Sequence, residues 1–198
     1  MTWLSPVTLK MKDVELLPLE TAHEAELCDA VADGELWNLW YTFIPRPNDM
    51  ALEIDRRLSL QAAGTMLPYT AVDTGQGRVV GMTTFMNADA QNRRVEIGST
   101  WFRKSSQRTG INRKCKLLML THAFEKLGCN AVEFRTHFFN SQSRAAIEGL
   151  GAKLDGILRN HMVMPDGSLR DTCVYSILNT EWPATKRHLE YLVNRTCT

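Results

Sequence analysis

The chain has 198 residues, 44% of them hydrophobic and 23% charged, the make-up of one compact soluble domain rather than a fibrous or disordered chain. Its 23 Lys and Arg against 22 Asp and Glu leave a net charge of +1, so no global field draws it to nucleic acid or an anionic membrane. No apolar run reaches the length of a membrane-spanning helix, and the opening MTWLSPVTLKMKDVELLPL lacks the apolar core of a signal peptide. The five cysteines (Cys28, Cys115, Cys129, Cys173 and Cys197) are odd in number, scattered and free of any CxxC pair. That pattern predicts neither a zinc site nor a disulfide framework, and it suits a reducing cytoplasm. Cys115 and Cys129 read as small apolar core residues.

In chain order, Val14 to Leu19 is a short strand with an edge-type Pro18. Thr21 and Glu24 form a capping-box pattern ahead of a helix that Asp33 and Gly34 stop near Ala32. An aromatic stretch, ELWNLWYTFIPRP, leads to a second helix from Met50 to Ala63. Tyr69 to Asp73 and Val79 to Asn87 are two antiparallel strands joined by TGQGR, and Arg94 to Phe102 is a third. Regular alternation in that third strand puts Glu96, Gly98, Thr100 and Phe102 on one face and Val95, Ile97, Ser99 and Trp101 on the other. The basic turn QRTGIN follows, then a helix from Asn112 to Leu127 with Leu117, Leu118, Leu120, Ala123, Phe124 and Leu127 at helical spacing. Ala131 to Phe139 is a strand and Asn140 to Leu150 a short helix. Lys153 to Met164 and Leu169 to Leu178 make a hairpin around PDGS, and Glu181 to Arg195 is a final helix. The order β-α-α-β-β-β-α-β-α-β-β predicts a mixed, mostly antiparallel sheet flanked by helices plus a C-terminal helix. It predicts one domain over residues 1–198, with a core of about 10–180 and the last helix at about 181–195.

Three stretches carry a resemblance. QRTGIN is similar to the pyrophosphate loop Q/R-x-x-G-x-G/A at Gln107 and Gly110, NSQSRAAIEGLGA to an N-x-x-S segment ending in Leu-Gly, and VEIGSTWF to an EIGYWL strand. Together with the closing hairpin they resemble the GNAT superfamily of acyl-CoA-dependent N-acetyltransferases, in its RimJ/RimL-like branch, over roughly residues 10 to 180. Two positions depart from the pattern: Asn112 stands where the loop has Gly or Ala, and Arg108 where many relatives have a second glycine.

The resemblance implies transfer of an acetyl group from acetyl-CoA, a co-substrate, to a primary amine by direct attack in a ternary complex. It implies no metal and leaves room for a homodimer. The N–H groups of Gln107, Arg108, Thr109, Gly110, Ile111, Asn112 and Arg113 would hold the pyrophosphate beside a helix N-terminus. The basic residues Arg103, Lys104, Arg113, Lys114 and Lys116 supply a local positive patch. The cleft would open where the strands on either side of the loop diverge. Asn140 would contact the pantetheine arm, or else cap the helix it opens. Ser143 would donate a proton to the leaving thiolate in place of the tyrosine used by many members, Tyr175 being the nearest substitute. Glu96 is the candidate base, against a surface carboxylate paired with Arg93 or Arg94, with His137 and His161 as rivals.

Trp37, Trp40 and Tyr41, with Phe43, would wall the acceptor pocket or belong to the core. Arg159, Asp166, Arg170 and Asp171 read either as acceptor contacts or as turn residues and ion pairs. The acceptor is a protein N-terminus, or alternatively a small amine such as an amino acid, polyamine or aminoglycoside. A non-catalytic acyl-CoA-binding module is the other reading of the altered loop.

Overall fold

In the computed structural model, which describes residues 3–195, every strand joins one sheet; residues 1–2 and 196–198, Cys197 among them, lie outside the described residues. A short hairpin, β1 (Leu9–Met11) and β2 (Val14–Pro18), opens the chain. Helices α1 (Glu24–Ala32) and α2 (Met50–Ala62) follow, and then the antiparallel strands β3 (Met66–Asp73), β4 (Arg78–Asp89) and β5 (Arg94–Phe102). Helix α3 (Ile111–Glu125) crosses to β6 (Ala131–His137), which lies parallel to β5. Helix α4 (Ser141–Glu148), the hairpin β7 (Lys153–Val163) and β8 (Leu169–Leu178), and α5 (Trp182–Arg195) complete the chain. The strand order is β1-β2-β3-β4-β5-β6-β8-β7, the mixed, mostly antiparallel sheet that the alternation predicts.

The sequence reading lacks β1, whose three residues are too short for a periodic signal. The expected Thr21 and Glu24 capping box is also displaced. Thr21–His23 is a 3-10 turn, and the Glu20 N–H donates to His23 Nδ1 at 3.2 Å, so α1 starts only at Glu24.

Two cores sandwich the sheet. On one face Val95, Ile97, Val132, Phe134 and Tyr175 pack with Cys115, Met119, Leu120 and Ala123 of α3 and with Ile147 of α4. On the other, Leu27, Ala30 and Val31 of α1 and Met50 and Ile54 of α2 pack on Val79, Met82 and Trp101.

The β4–β5 ladder slips in its middle. Met82 pairs with Trp101 but Thr84 with Gly98, so Ser99 and Thr100 together oppose Thr83. Ser99 takes a left-handed φ of 45°, and this two-for-one bulge bends the strand and reverses its alternation. Phe102 therefore joins Val95 and Ile97 in the α3-side core while Trp101 turns to α1 and α2. This corrects the regular alternation expected of β5: Thr100 and Phe102 do not share a face with Glu96.

Buried cations grip the bulge from both faces. From α2, Arg57, 1% exposed, donates to the Thr84 hydroxyl at 2.6 Å and the Ser99 carbonyl at 3.2 Å, and pairs with Glu53 at 2.7 Å. From α3, Lys116 donates to Thr83 Oγ1 at 2.8 Å and Thr100 Oγ1 at 2.7 Å. No carboxylate pairs with Lys116 among the described residues, and burial pushes its amine down to about 7. Beside the bulge, Gly81 pairs with Phe102, and a Cβ there would lie 2.1 Å from the Trp101 carbonyl oxygen.

Gly81→Ala is expected to destabilise the fold by about 2–3 kcal/mol through overpacking, as read by denaturant unfolding. Lys116→Met is expected to stabilise it, because the unfolded amine titrates near 10.4 and folding strips its proton or buries its charge. The unfolded chain binds the extra proton between pH about 7 and about 10, so the wild type gains stability as pH rises through that window. The gap between the variant and the wild type should thus be widest below pH 7 and narrow toward pH 10, in melts across that range.

Candidate active site

Strands β5 and β6 pair only at Arg94 with Ala131, Val95 with Val132 and Glu96 with Glu133. Beyond Glu96, β5 stays with β4 through Phe102 while β6 stays with β8 through His137. A wedge therefore opens between Ile97–Phe102 and 134–137, with a backbone edge of β5 lacking a strand partner. Such an edge can bond an extended ligand that carries amides.

At the open end of β5 the chain turns through a 3-10 segment, Lys104–Ser106, into QRTGIN. Gln107 Nε2 donates to the Phe102 carbonyl at 3.1 Å and the Thr109 hydroxyl to the Ser106 carbonyl at 2.7 Å, which fixes the turn against the strand it leaves. Gly110, at φ 92°, is the N-cap of α3, and no side chain caps that end. The first bond of the helix runs from the Lys114 N–H to the Gly110 carbonyl at 3.1 Å. The N–H groups of Ile111, Asn112 and Arg113 are thus left facing outward with the positive end of a 15-residue helix. An anionic diphosphate fits this donor set.

Both departures from the loop pattern acquire a physical meaning. Arg108 sits at φ 63°, a conformation that costs glycine nothing, and its exposed side chain points outward. Asn112 does not cap the helix. It is the second helical residue, and its Oδ1 is buried without a partner among the described residues. The basic patch is smaller than the sequence suggests: Arg103 pairs with Asp29 at 2.6 Å, Lys114 with Asp13, and Lys116 lies under the bulge. Arg108, Arg113 and Lys104 remain near the turn.

Glu96 lies at the last paired rung before the wedge, on the face away from α3, and is 5% exposed. Its Oε2 accepts from Asn87 Nδ2 at 2.8 Å and lies 3.5 Å from Arg135 Nε. Burial raises its carboxyl above the usual range, with Asn87 and Arg135 opposing the rise. It is therefore not the surface carboxylate paired with Arg93 or Arg94; Arg94 bonds Glu133 instead, at 2.5 Å. Arg170 of β8, half-buried, adds positive charge beside Glu96.

On the opposite face, Asn140 caps α4: its Oδ1 accepts from the Ser143 N–H at 3.0 Å. The half-buried Ser143 therefore stands in the first turn of α4, just past the open end of β6. Gln142 Nε2 reaches Gln107 Oε1 at 3.4 Å, so α4 and the QRTGIN turn meet across the wedge mouth. Tyr175 is no substitute acid. Its hydroxyl donates to Glu148 Oε1 at 2.8 Å and accepts from Arg144 Nε at 3.0 Å, anchoring α4 to β8.

The connection between α1 and α2 hangs over the same end of the sheet. Trp37 packs into the second core, whereas Trp40 is 56% exposed. The Trp40 ring meets His137 edge-on at 5.1 Å and Phe139 at 5.9 Å, and Tyr41 lies 5.6 Å from Trp40. His137 Nδ1 accepts from the Phe139 N–H at 3.0 Å, so its Nε2 carries the proton, buried and without a partner among the described residues. Burial lowers the His137 pKa, which keeps the ring neutral near pH 7. His161 is exposed and bonds Thr172 at 3.1 Å. Arg159 pairs with Asp171 at 2.5 Å and Asp166 closes the β7–β8 turn onto Ser168, so these three are structural. A cavity of about 370 Å³ lies on the Glu96 face, lined by Arg94, Glu133, Arg135, Asp155, Leu158 and Ser176 among others.

Arg57, Asn87 and Arg135 escaped the sequence reading of the site, and so did the burial of Lys116 under the bulge. Two of them leave a trace: Arg57 continues the apolar line Met50–Ile54 of α2, and Lys116 the line Leu120, Ala123, Leu127 of α3. A charge in phase with a buried stripe is the signal.

Known proteins share this fold. A crystal structure of a GCN5-related N-acetyltransferase from Brucella melitensis superposes with a TM-score of 0.85 at 28% identity, covering 96% of this chain and 86% of that one. RimJ of Mycobacterium smegmatis, in complex with CoA-disulfide, has the same fold at 20% identity, with a TM-score of 0.80 over 94% of this chain and 95% of that one. YdaF of Bacillus subtilis (strain 168), named as a candidate ribosomal N-acetyltransferase, is 34% identical over 110 residues, 56% of this chain and 59% of that protein. The family model described as Acetyltransferase (GNAT) domain matches residues 13–153. That stretch runs from the first hairpin through the wedge and the uncapped helix to the start of β7, and the chain belongs to the GNAT acetyltransferase family.

Proposed function

We propose that the protein is an acetyl-CoA-dependent N-acetyltransferase whose acceptor is the α-amino group of a protein, attacked directly in a ternary complex. The observation that carries this reading is the wedge between β5 and β6. The uncapped N-terminus of α3 stands at its mouth, and a buried carboxylate stands on its other face.

The N–H groups and side chains of Gln107, Arg108, Thr109, Gly110, Ile111, Asn112 and Arg113 bind the pyrophosphate. The free edge of β5 and the Asn140 amide hold the pantetheine arm. Held there, the thioester carbonyl lies within reach of an amine arriving from the Trp40, Tyr41 and His137 side, so much of the barrier is met by placement. Glu96, through water, takes the proton that the attacking nitrogen must lose. Its raised pKa makes it a better proton acceptor than an ordinary glutamate. As the C–S bond breaks, the Ser143 hydroxyl supplies a proton to the departing thiolate and recovers it from solvent.

Two considerations support a protein N-terminus over a polyamine or aminoglycoside. An α-amino group titrates near 8, against about 10.4 for an alkylamine such as lysine's, so far more of it is neutral at pH 7. The acceptor side also carries Arg135 and Arg170 beside Glu96 and Glu133, a balanced charge that suits a peptide better than a polycation. The name of YdaF points to ribosomal proteins as the acceptor class.

Calorimetry with acetyl-CoA is expected to give saturable binding by the wild type and none by Gly110→Trp, whose indole would fill the turn. Wild-type protein that binds no acyl-CoA would sink the reading. Binding without product across N-terminal peptides and small amines would favour a non-catalytic acyl-CoA module instead. Glu96→Gln is expected to lower kcat on the order of a hundredfold with acetyl-CoA affinity kept, as measured by thioester consumption against direct binding.

A further inference from the structure

Lys116 is an expensive residue to bury. Its side chain is enclosed by the core, its only hydrogen-bond partners among the described residues are two threonine hydroxyls, and no carboxylate offsets its charge. An apolar side chain of similar length would serve packing better. What distinguishes the position is what the amine touches. Thr83 and Thr100 are the residues on either side of the β4–β5 register slip, and they also bond each other at 2.8 Å. Thr100 in turn donates to the Gly98 carbonyl at 3.2 Å. The Lys116 amine thus closes a polar knot across the bulge. From the other face, Arg57 holds Thr84 and the Ser99 carbonyl of the same slip.

The bulged segment forms one wall of the wedge, since β5 has lost β6 as a neighbour before reaching it. Among the described residues no strand pairs with its free edge, and the left-handed Ser99 makes it the least regular part of the strand. Helix α3, by contrast, is tied down independently, by Lys114 to Asp13 of the first hairpin and by its apolar face. Lys116 sits on the second turn of that helix, so it links the phosphate-facing helix to the bulged wall.

We propose that Lys116 is a positioning residue for acetyl-CoA: through Thr83 and Thr100 it sets the distance and register between the bulged backbone of β5 and the N-terminus of α3, with Arg57 as its counterpart on the acceptor face. The proposal rests on the acyl-CoA reading and adds to it a determinant that touches no ligand. The α3 end holds the diphosphate and the bulged strand holds the amide arm, so a ligand that spans both registers their spacing. A ligand that occupies only the first does not.

The test compares the wild type, Lys116→Met and Thr100→Val for melting temperature, for acetyl-CoA affinity, and for the affinity of ADP, which carries a diphosphate but no pantetheine arm. Lys116→Met is expected to melt higher than the wild type yet bind acetyl-CoA at least about tenfold more weakly, with ADP affinity held. A merely structural lysine would move stability and binding together, or leave binding alone. Thr100→Val removes one partner and keeps the shape, and is expected to weaken acetyl-CoA in the same sense. Acetyl-CoA affinity at the wild-type level in both variants overturns the proposal, as does equal weakening of acetyl-CoA and ADP. Wild-type protein that binds neither ligand overturns the acyl-CoA reading itself, an outcome distinct from the other two.

Discussion

A single extra residue in β5 shapes most of what surrounds it. With Ser99 and Thr100 set against Thr83, the strand bends just beyond the point where it leaves β6, along one wall of the wedge. The same slip sends Trp101 to α1 and α2 and Phe102 to α3, so each core receives one large aromatic from adjacent positions. A regular strand would keep Trp101 on the face of Val95 and Ile97. A bulge by itself is soft. Here it is enclosed by Arg57 and Lys116, buried on opposite faces, whose hydrogen bonds turn a local irregularity into a defined shape.

The two faces of the sheet then divide the chemistry by sign. The α3 face presents helix-end N–H groups and the guanidinium groups near the QRTGIN turn, all suited to phosphate oxygens. The Glu96 face carries carboxylates checked by arginines, Glu96 and Glu133 against Arg135 and Arg94, so charge there is balanced rather than uniform. Glu96 is raised because burial outweighs the help it receives from Asn87 and Arg135. A more exposed glutamate in the same strand would be a weaker base. The wedge thus lies between an uncapped helix end and a buried carboxylate.

Most of the element boundaries were legible because local physics decided them. Arg94 to Phe102 is a strand in both readings, and Met50 with Ile54 marks the buried line of α2. Gly128, at φ 65°, closes the helix that periodicity placed before it. The failures are equally local in appearance and non-local in cause. The alternation of β5 breaks at Ser99, a residue with no intrinsic preference for φ 45°, because β4 and two helices hold it there. The helix expected from Asn112 is entered two residues earlier, at Gly110. Tyr175 could point either way along β8 until Arg144 and Glu148 of α4 captured its hydroxyl.

The sequence by itself determined the order of elements from β2 onward, the glycine that opens α3 and the residue types gathered at QRTGIN, since each depends on spacing or on backbone freedom within a few residues. Tertiary structure alone decided which of those residues meet. Whether Glu96 is a surface ion pair or a buried carboxylate depends on Asn87 and Arg135 from neighbouring strands, and on how much water the fold excludes around it. Whether Lys116 belongs to a basic patch or to a buried clamp depends on the face that α3 turns to the sheet, which its packing against the bulge and the first hairpin settles. Desolvation and long-range contact are properties of the packed chain, and no short window of sequence contains them.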